Sequence, residues 1–473
     1  MEKFKVDVAV IGAGNAGISA YHAAARLGKR AVLIDRGCGG AACSATRQVA
    51  SKLLFAAAEA AHSIEEAEGV GVHAVLRHID GRALMKRIQA ECERFDAFSR
   101  DPVSEIPAAD LIHGHGRFLN THCLQAGERI VVEAASVVIA TGSRVAVPGA
   151  LAGLNERLLT PDTLFELDTL PYSVAVIGAG PAGLALGQAL HRLGVRVGIF
   201  ESGSGFAALS DPVVRNVAAR CVGEGMDVRR NVELLDARWD HASAILRFKD
   251  DDGQEFVERF AYVLIADRSI PDVHRLGLEN TGLELDSRGV PAFTRRTLQC
   301  GDSSIFMAAG GALSCGPGAG ELAGGNAARY PEVQECRQGP RLDVCHTAPQ
   351  IATTGTTFSN LPKQGYAVGE APLDIVSRNG TGRRRRGVLR VYGEIGTGLF
   401  LGAEMVGPEA GHIAQLLSWA HRNTLSIGQI LDMPFHGAAM QEELRSALIS
   451  LQGAMAKPVT AWSPAQSHLS MTE

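Results

Sequence analysis

At 473 residues the chain is too long for a single hydrophobic core, and two to four domains are expected. An apolar fraction of 46 %, a mean hydropathy of +0.06, a net charge of −5 and an isoelectric point near 6.3 fit an ordinary globular protein and argue against nucleic acid or an anionic membrane as the main partner. There is no run of 18 apolar residues, the start has two lysines and then a strand pattern without a cleavage site, and the 9 cysteines are scattered. These features predict no membrane span, no signal peptide, no secreted disulfide framework and a cytoplasmic location.

The chain opens with strand, glycine turn, helix and second strand. Val6, Val8, Ala9, Val10 and Ile11 form the β-branched run of a parallel strand covered on both faces. Gly12, Gly14 and Gly17 follow as G-x-G-x-x-G: a tight turn, a close approach of backbone to a pyrophosphate, and close packing of helix on strand. Phosphates are expected on the free N–H groups at the helix N-terminus. Asp35, 23 residues after Gly12, ends the second strand, where a carboxylate can hold the hydroxyls of an adenosine ribose.

An alanine-rich helix is expected over 50–62 and another over 81–98, followed by short strands (IHGHGRFLN, THCLQAGERIVVE) and by ASVVIATGSR, a strand entering the small turn Ala140-Thr141-Gly142. A Pro- and Gly-rich linker, VAVPGALAGLNERLL, leads to a repeat of the opening pattern. Residues 173–201 again read strand, G-x-G-x-x-G (Gly178, Gly180, Gly183), helix, strand and acid, with the same 23-residue interval to Glu201. No arginine follows Glu201 closely, so this carboxylate favours a free 2′-hydroxyl, hence NAD(H) over NADP(H). Two strand-like stretches follow, ASAILRFKDD and EFVERFAYVLIA. Residues from about 280 to 335 return to strand, glycine turn and helix. Beyond about 340 come the strands GVLRVYGEI and LFLGAEMVG and the helices GHIAQLLSWAHRNTL and AAMQEELRSALISLQ, and the basic run Arg383 to Arg386 reads as a solvated hairpin tip.

With these motifs, and with TGLELDSRGVP at 281–291 and MPF at 433–435, the chain from about residue 4 to 455 resembles the class I pyridine nucleotide–disulfide oxidoreductases, closest to the dihydrolipoyl dehydrogenase branch. The resemblance implies an α/β fold of two Rossmann-like dinucleotide-binding domains, one for FAD and one for NAD, and a C-terminal α+β dimerisation domain. The expected boundaries are 1–150 and 273–338 for the FAD domain, 151–272 for the NAD domain and 339–473 for the dimerisation domain. FAD is implied at Gly12, Gly14, Gly17, Asp35, Lys52, Thr141, Gly142 and Gly310, and NAD(H) at Gly178, Gly180, Gly183 and Glu201. Also implied are a homodimer and hydride transfer from NADH to flavin, then to a small-molecule or protein acceptor. No metal, nucleic acid or membrane is expected.

The departures from the family pattern are equally informative. Setting Ser51-Lys52 on the family's Pro-Ser-Lys puts Cys43 on the first redox cysteine and Gln48 on the second. A flavin-linked dithiol needs both sulfurs, one to attack the substrate and one to exchange electrons with flavin. Cys38 and Cys43 share the C-x-x-x-x-C spacing but lie earlier, on the approach to the helix. Near the C-terminus Glu442 matches the acid of a His–Glu acid–base dyad, while Gly437 falls on the histidine and His436 lies one position away. Ala185 replaces a glutamate that would pair with Lys52 beside the flavin, Ser269 lies in an altered second small-residue turn, and Gly311 replaces the aspartate that would hold the ribityl chain. Cys315 falls near the flavin's pyrimidine edge and reads as a small buried residue. The resemblance makes Cys43, Lys52, His436 and Glu442 the candidate catalytic residues, and three functions stay open: an oxidoreductase passing electrons from NADH through FAD with its dithiol relay disabled, a catalytically silent dimeric homologue with a binding or regulatory role, and an authentic dihydrolipoyl dehydrogenase using shifted cysteines, Cys38–Cys43, with His436.

Overall fold

The computed structural model describes residues 2–36, 40–98, 102–203, 205–266, 269–308, 318–336, 339–374, 385–435 and 440–456. They form two compact units, one of residues 1–205 and 225–339, the other of 206–224 and 340–473.

The first unit is built on two parallel sheets. In the first, Leu111–His113, Ala31–Asp35, Glu2–Ile11 and Ile130–Ile139 lie side by side in that order, all parallel. The outer edge of Ile130–Ile139 is shared: its first half takes the antiparallel hairpin Gly116–Asn120/Cys123–Ala126, and its second half takes the parallel strand Ile305–Met307. The expected strand IHGHGRFLN is therefore two strands, interrupted at Gly114-His115. From Val8 onward, alternate residues of the central strand serve two layers, Ala9 and Ile11 in one core and Val8 and Val10 in the other. Burying each such aliphatic side chain stabilises the fold by roughly 1.5–3 kcal/mol, so the sheet is fixed from both faces.

On one face the helices Asn15–Arg26 and Ala319–Arg329 cross closely because small residues meet. A Cβ on Gly320 would lie 2.1 Å from the Ala16 carbonyl oxygen, and one on Gly324 would lie 2.2 Å from that of Ala20.

The second sheet runs Asp227–Arg230, Arg196–Glu201, Ser173–Ile177, Tyr262–Ile265, Leu158–Leu159, again all parallel. The stretch EFVERFAYVLIA is not one strand. Glu255–Phe260 alternates exposed and covered residues and closes an antiparallel meander with Glu233–Trp239 and Ala244–Lys249, whereas Tyr262–Ile265 is almost wholly buried and joins the parallel sheet. The switch from alternating to continuous burial marks the change of sheet. At the break, the Ala261 N–H donates to the Ser173 hydroxyl at 2.9 Å. The expected linker over 145–159 contains the 3-10 turns Gly149–Arg157.

The second unit carries an antiparallel sheet, Leu342–Cys345, Gln350–Gly355, Phe400–Gly407, Arg385–Glu394, Tyr366–Asp374, packed with Ala410–Arg422, Ile427–Leu431 and Met440–Met455. Arg385, in the basic run, starts its strand opposite Asp374; Arg383 and Arg384 are outside the described residues.

The helix Pro212–Val222 lies within 151–272 in sequence but is gathered into this unit. Buried polar residues explain the attachment. Glu404, fully buried in an apolar strand, accepts from the backbone N–H groups of Ser210, Asp211 and Phe358 and from the Ser210 hydroxyl. Asp211, also fully buried, caps the helix through Val213 and Val214 and accepts from the Arg390 guanidinium at 2.7 Å and the Tyr392 hydroxyl at 2.9 Å. Breaking a buried hydrogen-bonded charge pair on one side costs about 3–5 kcal/mol, because the remaining charge is left without compensation.

Candidate active site

The first glycine turn joins the central strand to the helix Asn15–Arg26 at the point where the strand order reverses, beside Ala140-Thr141-Gly142 at the end of Ile130–Ile139. Ligands of open α/β sheets bind at such a crevice, outside the carboxyl ends of the strands. Gly12 has φ +106°, and a Cβ there would lie 2.4 Å from the Ala140 carbonyl oxygen, so both backbone conformation and space require glycine. A Cβ on Gly17 would lie 1.8 Å from the Gly12 carbonyl oxygen. At Gly14 the situation is opposite: an added Cβ would meet nothing within 4 Å. Gly12 and Gly17 are thus required by the protein's own packing, while Gly14 faces open space. Asp35 Oδ1 accepts from the Ala13 N–H at 3.2 Å, which ties the end of the second strand to the turn.

The second turn repeats this geometry. Gly178 has φ +108°, and a Cβ on Gly183 would lie 2.1 Å from the Gly178 carbonyl oxygen. Glu201 accepts through Oε2 from the Ala179 N–H at 2.7 Å and through Oε1 from the Gly203 N–H at 3.1 Å. Gly180 precedes the helix Pro181–Arg192, and a Cβ on it would be no nearer than 3.7 Å to the Ala266 carbonyl oxygen.

Thr141 and Gly142 close the first crevice. The Gly142 carbonyl accepts from the Asp272 N–H at 3.1 Å, and a Cβ on Gly142 would meet nothing within 4 Å. The Thr141 hydroxyl is buried and has no hydrogen-bond partner. Buried hydroxyls are ordinarily paired, so an orphan beside two open glycines is a group waiting for a ligand atom. These residues fit a dinucleotide whose pyrophosphate crosses the helix N-terminus at Gly14, with the ribose toward Asp35.

Other expected site residues come together less completely. Gln48 and Lys52 lie along the helix Gly40–Glu66 and are exposed, and Ala185 on Pro181–Arg192 is buried and offers Lys52 no carboxylate. Glu442 is exposed in the first turn of Met440–Met455. Ser269 pairs with Val145 in a two-stranded ribbon, Ser143–Val145 with Ser269–Pro271. Cys38, Gly310, Gly311, Cys315, His436 and Gly437, and the side chain of Cys43, lie outside the described residues.

Sequence reasoning missed two sets of charged residues. One is the buried group Asp211, Arg390, Tyr392 and Glu404; an acid in the middle of the apolar LFLGAEMVG was its available signal. The other is the ion pair of Arg192 with Glu59 at 2.9 Å, for which the sequence gives no local signal.

Two family models cover the chain: pyridine nucleotide-disulphide oxidoreductase over residues 6–335, and the dimerisation domain of pyridine nucleotide-disulphide oxidoreductases over 342–448. The chain belongs to this family, whose members use FAD and NAD(P)H as cofactors. A mercuric reductase from Shigella flexneri is 29% identical over 470 residues, 93% of this chain and 80% of that protein. A dihydrolipoyl dehydrogenase from Haloferax volcanii is 27% identical over 435 residues, 88% of this chain and 89% of that protein. Among solved structures, the HOCl-induced flavoprotein disulfide reductase RclA from Escherichia coli is similar with a TM-score of 0.75 at 19% identity, over 94% of this chain and 99% of that one, a likeness of fold.

Proposed function

We propose that the protein is an FAD-dependent oxidoreductase that draws electrons from NADH and delivers them to an acceptor other than a lipoyl disulfide. One contrast supports this most: both glycine turns are intact and pinned by their acids, while the exposed Gln48 stands where the second redox sulfur would be. Gly12, Gly14 and Gly17 would present backbone to the FAD pyrophosphate, Asp35 the ribose contact, and Thr141, Gly142 and Gly310 the rest of the cradle. Gly178, Gly180, Gly183 and Glu201 would hold NADH in the same manner. The chemistry the flavin would supply is transfer of two electrons from NADH to the acceptor. Cys43, Lys52, His436 and Glu442 are the residues this chain offers on the acceptor side. A homodimer fits the dimerisation domain, and the helix Ala410–Arg422 leaves Leu416 and Trp419 exposed for such a contact.

The test is turnover with FAD-loaded protein: NADH oxidation is expected with quinones, dyes or oxygen and not with lipoamide. Reduction of lipoamide would instead favour a disulfide reductase working through Cys38 and Cys43. A silent binding role is the second reading, favoured by Gln48, Ala185, Ser269, Gly311 and Gly437 together; failure to take up FAD would select it.

A further inference from the structure

Two helices stand behind the two nucleotide sites. Gly40–Glu66 bears Cys43, Gln48 and Lys52, and Pro181–Arg192 opens directly from the second glycine turn. Every residue of the second helix from Gly183 to Leu190 is buried, and Ala50, Leu54, Ala58 and Ala61 form the buried stripe of the first. Apolar burial is non-directional, so a directional pair adds to what it specifies. Such a pair is present. The Arg192 side chain, 13% exposed, meets the Glu59 carboxylate, whose side chain is 60% exposed, at 2.9 Å. Further acids stand near it: Glu65 and Glu66 act on Arg192 electrostatically, and His62 lies 3.5 Å from Glu66.

The position of this pair is telling. Glu59 lies seven residues after Lys52 on one helix, and Arg192 lies seven residues after Ala185 on the other. Seven residues are two helical turns, about 10.5 Å along each axis. Glu59 thus lies on the helix of Lys52, and Arg192 ends the helix that opens at the second glycine turn.

We propose that Arg192 and Glu59 are positioning residues that set the helix of Lys52 against the helix of the second nucleotide turn. Neither touches a cofactor. Their effect is on how the NADH-binding turn is aimed at the residues of the first site, so the inference rests on the flavoprotein reading.

The test uses the full chain with its FAD content measured: wild type, Arg192→Ala, Glu59→Ala, the two alanine changes together, and Arg192→Lys. Anaerobic flavin bleaching by NADH separates the limiting rate from NADH affinity, and thermal melting without nucleotide reads the pair independently. Each single alanine change is expected to lower the limiting rate about three- to tenfold while NADH affinity moves less than about twofold. Arg192→Lys, which keeps the charge, is expected to recover it to within about twofold of wild type, and the melting shifts of the two single alanine changes should be non-additive in the double variant. Single alanine changes that bleach at the wild-type rate, or an Arg192→Lys protein no better than Arg192→Ala, would overturn the proposal. Should no variant and no wild type hold flavin, the flavoprotein reading fails by itself, and additive melting shifts would then overturn the pairing as well.

Discussion

Gly14 and Gly17 are three residues apart in one motif, yet the structure gives them opposite roles, and this yields a sharp prediction. A methyl group at position 17 would be placed 1.8 Å from the Gly12 carbonyl oxygen, far inside contact, so helix and turn must separate. Overpacking of this kind costs typically 1–3 kcal/mol, and a backbone atom cannot rotate away, so about 3 kcal/mol is expected for Gly17→Ala. For a unit of this size that is on the order of 4–5 °C of melting temperature. Gly14, by contrast, has φ −73° and ψ 174°, which alanine adopts freely, and its Cβ would meet nothing within 4 Å. Gly14→Ala should leave the flavin-free protein within about 0.5 kcal/mol of wild type. Its methyl group would project into the space left for the pyrophosphate, and a displacement costing about 2 kcal/mol weakens FAD binding roughly thirtyfold. Melting of the flavin-free proteins and FAD titration by flavin fluorescence separate the two effects. A Gly14→Ala protein that holds FAD as tightly as wild type would refute the placement of the cofactor at this turn.

Further outcomes follow from other residues. Glu404→Leu leaves the N–H groups of Ser210, Asp211 and Phe358 without their acceptor, and should lower stability by about 3 kcal/mol or more in urea unfolding, with FAD content of the folded protein unchanged. Burial pushes the Cys300 thiol up to about 12 and that of Cys345 to about 11, so both should resist iodoacetamide in the native protein at pH 8, as read by mass spectrometry, while Cys123 reacts. Burial also lowers the pKa of His191 and of His421 below the ordinary 6.5. The unfolded chain then binds more protons below that value, so both residues contribute stability above it that is lost as the pH falls; removing them together by glutamine should flatten the acid limb of the stability profile. Finally, Gly437→His alone should restore no lipoamide reduction because Gln48 still lacks a sulfur, and activity in that single variant would show that the cysteines are read in the wrong register.

Much of this architecture was legible because glycines at fixed intervals do jobs that other residues cannot. Gly12 and Gly178 adopt positive φ, Gly17 and Gly183 press against them, and Asp35 and Glu201 reach back to the turns from the same distance in sequence. The helix over Gly81–Phe98 was equally plain from its periodicity. What stayed hidden depends on partners remote in sequence. Nothing around Pro212–Val222 announces that Glu404 and Arg390, nearly two hundred residues later, draw this helix out of its neighbours in sequence. The meander ending at Phe260 runs into the strand Tyr262–Ile265 with no turn residue between them, so only burial on one face versus both distinguishes them. Arg192 and Glu59 are ordinary helix charges until the two helices are brought together. In the catalytic region the missing residues were visible as mismatches, because a glutamine cannot replace a thiol whatever its surroundings.

The central claim is that an intact pair of nucleotide sites serves a flavin without a working dithiol relay. An anaerobic absorbance spectrum of the FAD-loaded protein, before and after NADH, tests it most directly. The account predicts a flavin band that bleaches on NADH with no long-wavelength thiolate-to-flavin band. The appearance of that long-wavelength band on reduction, or a protein that takes up no flavin even after incubation with FAD, would contradict it.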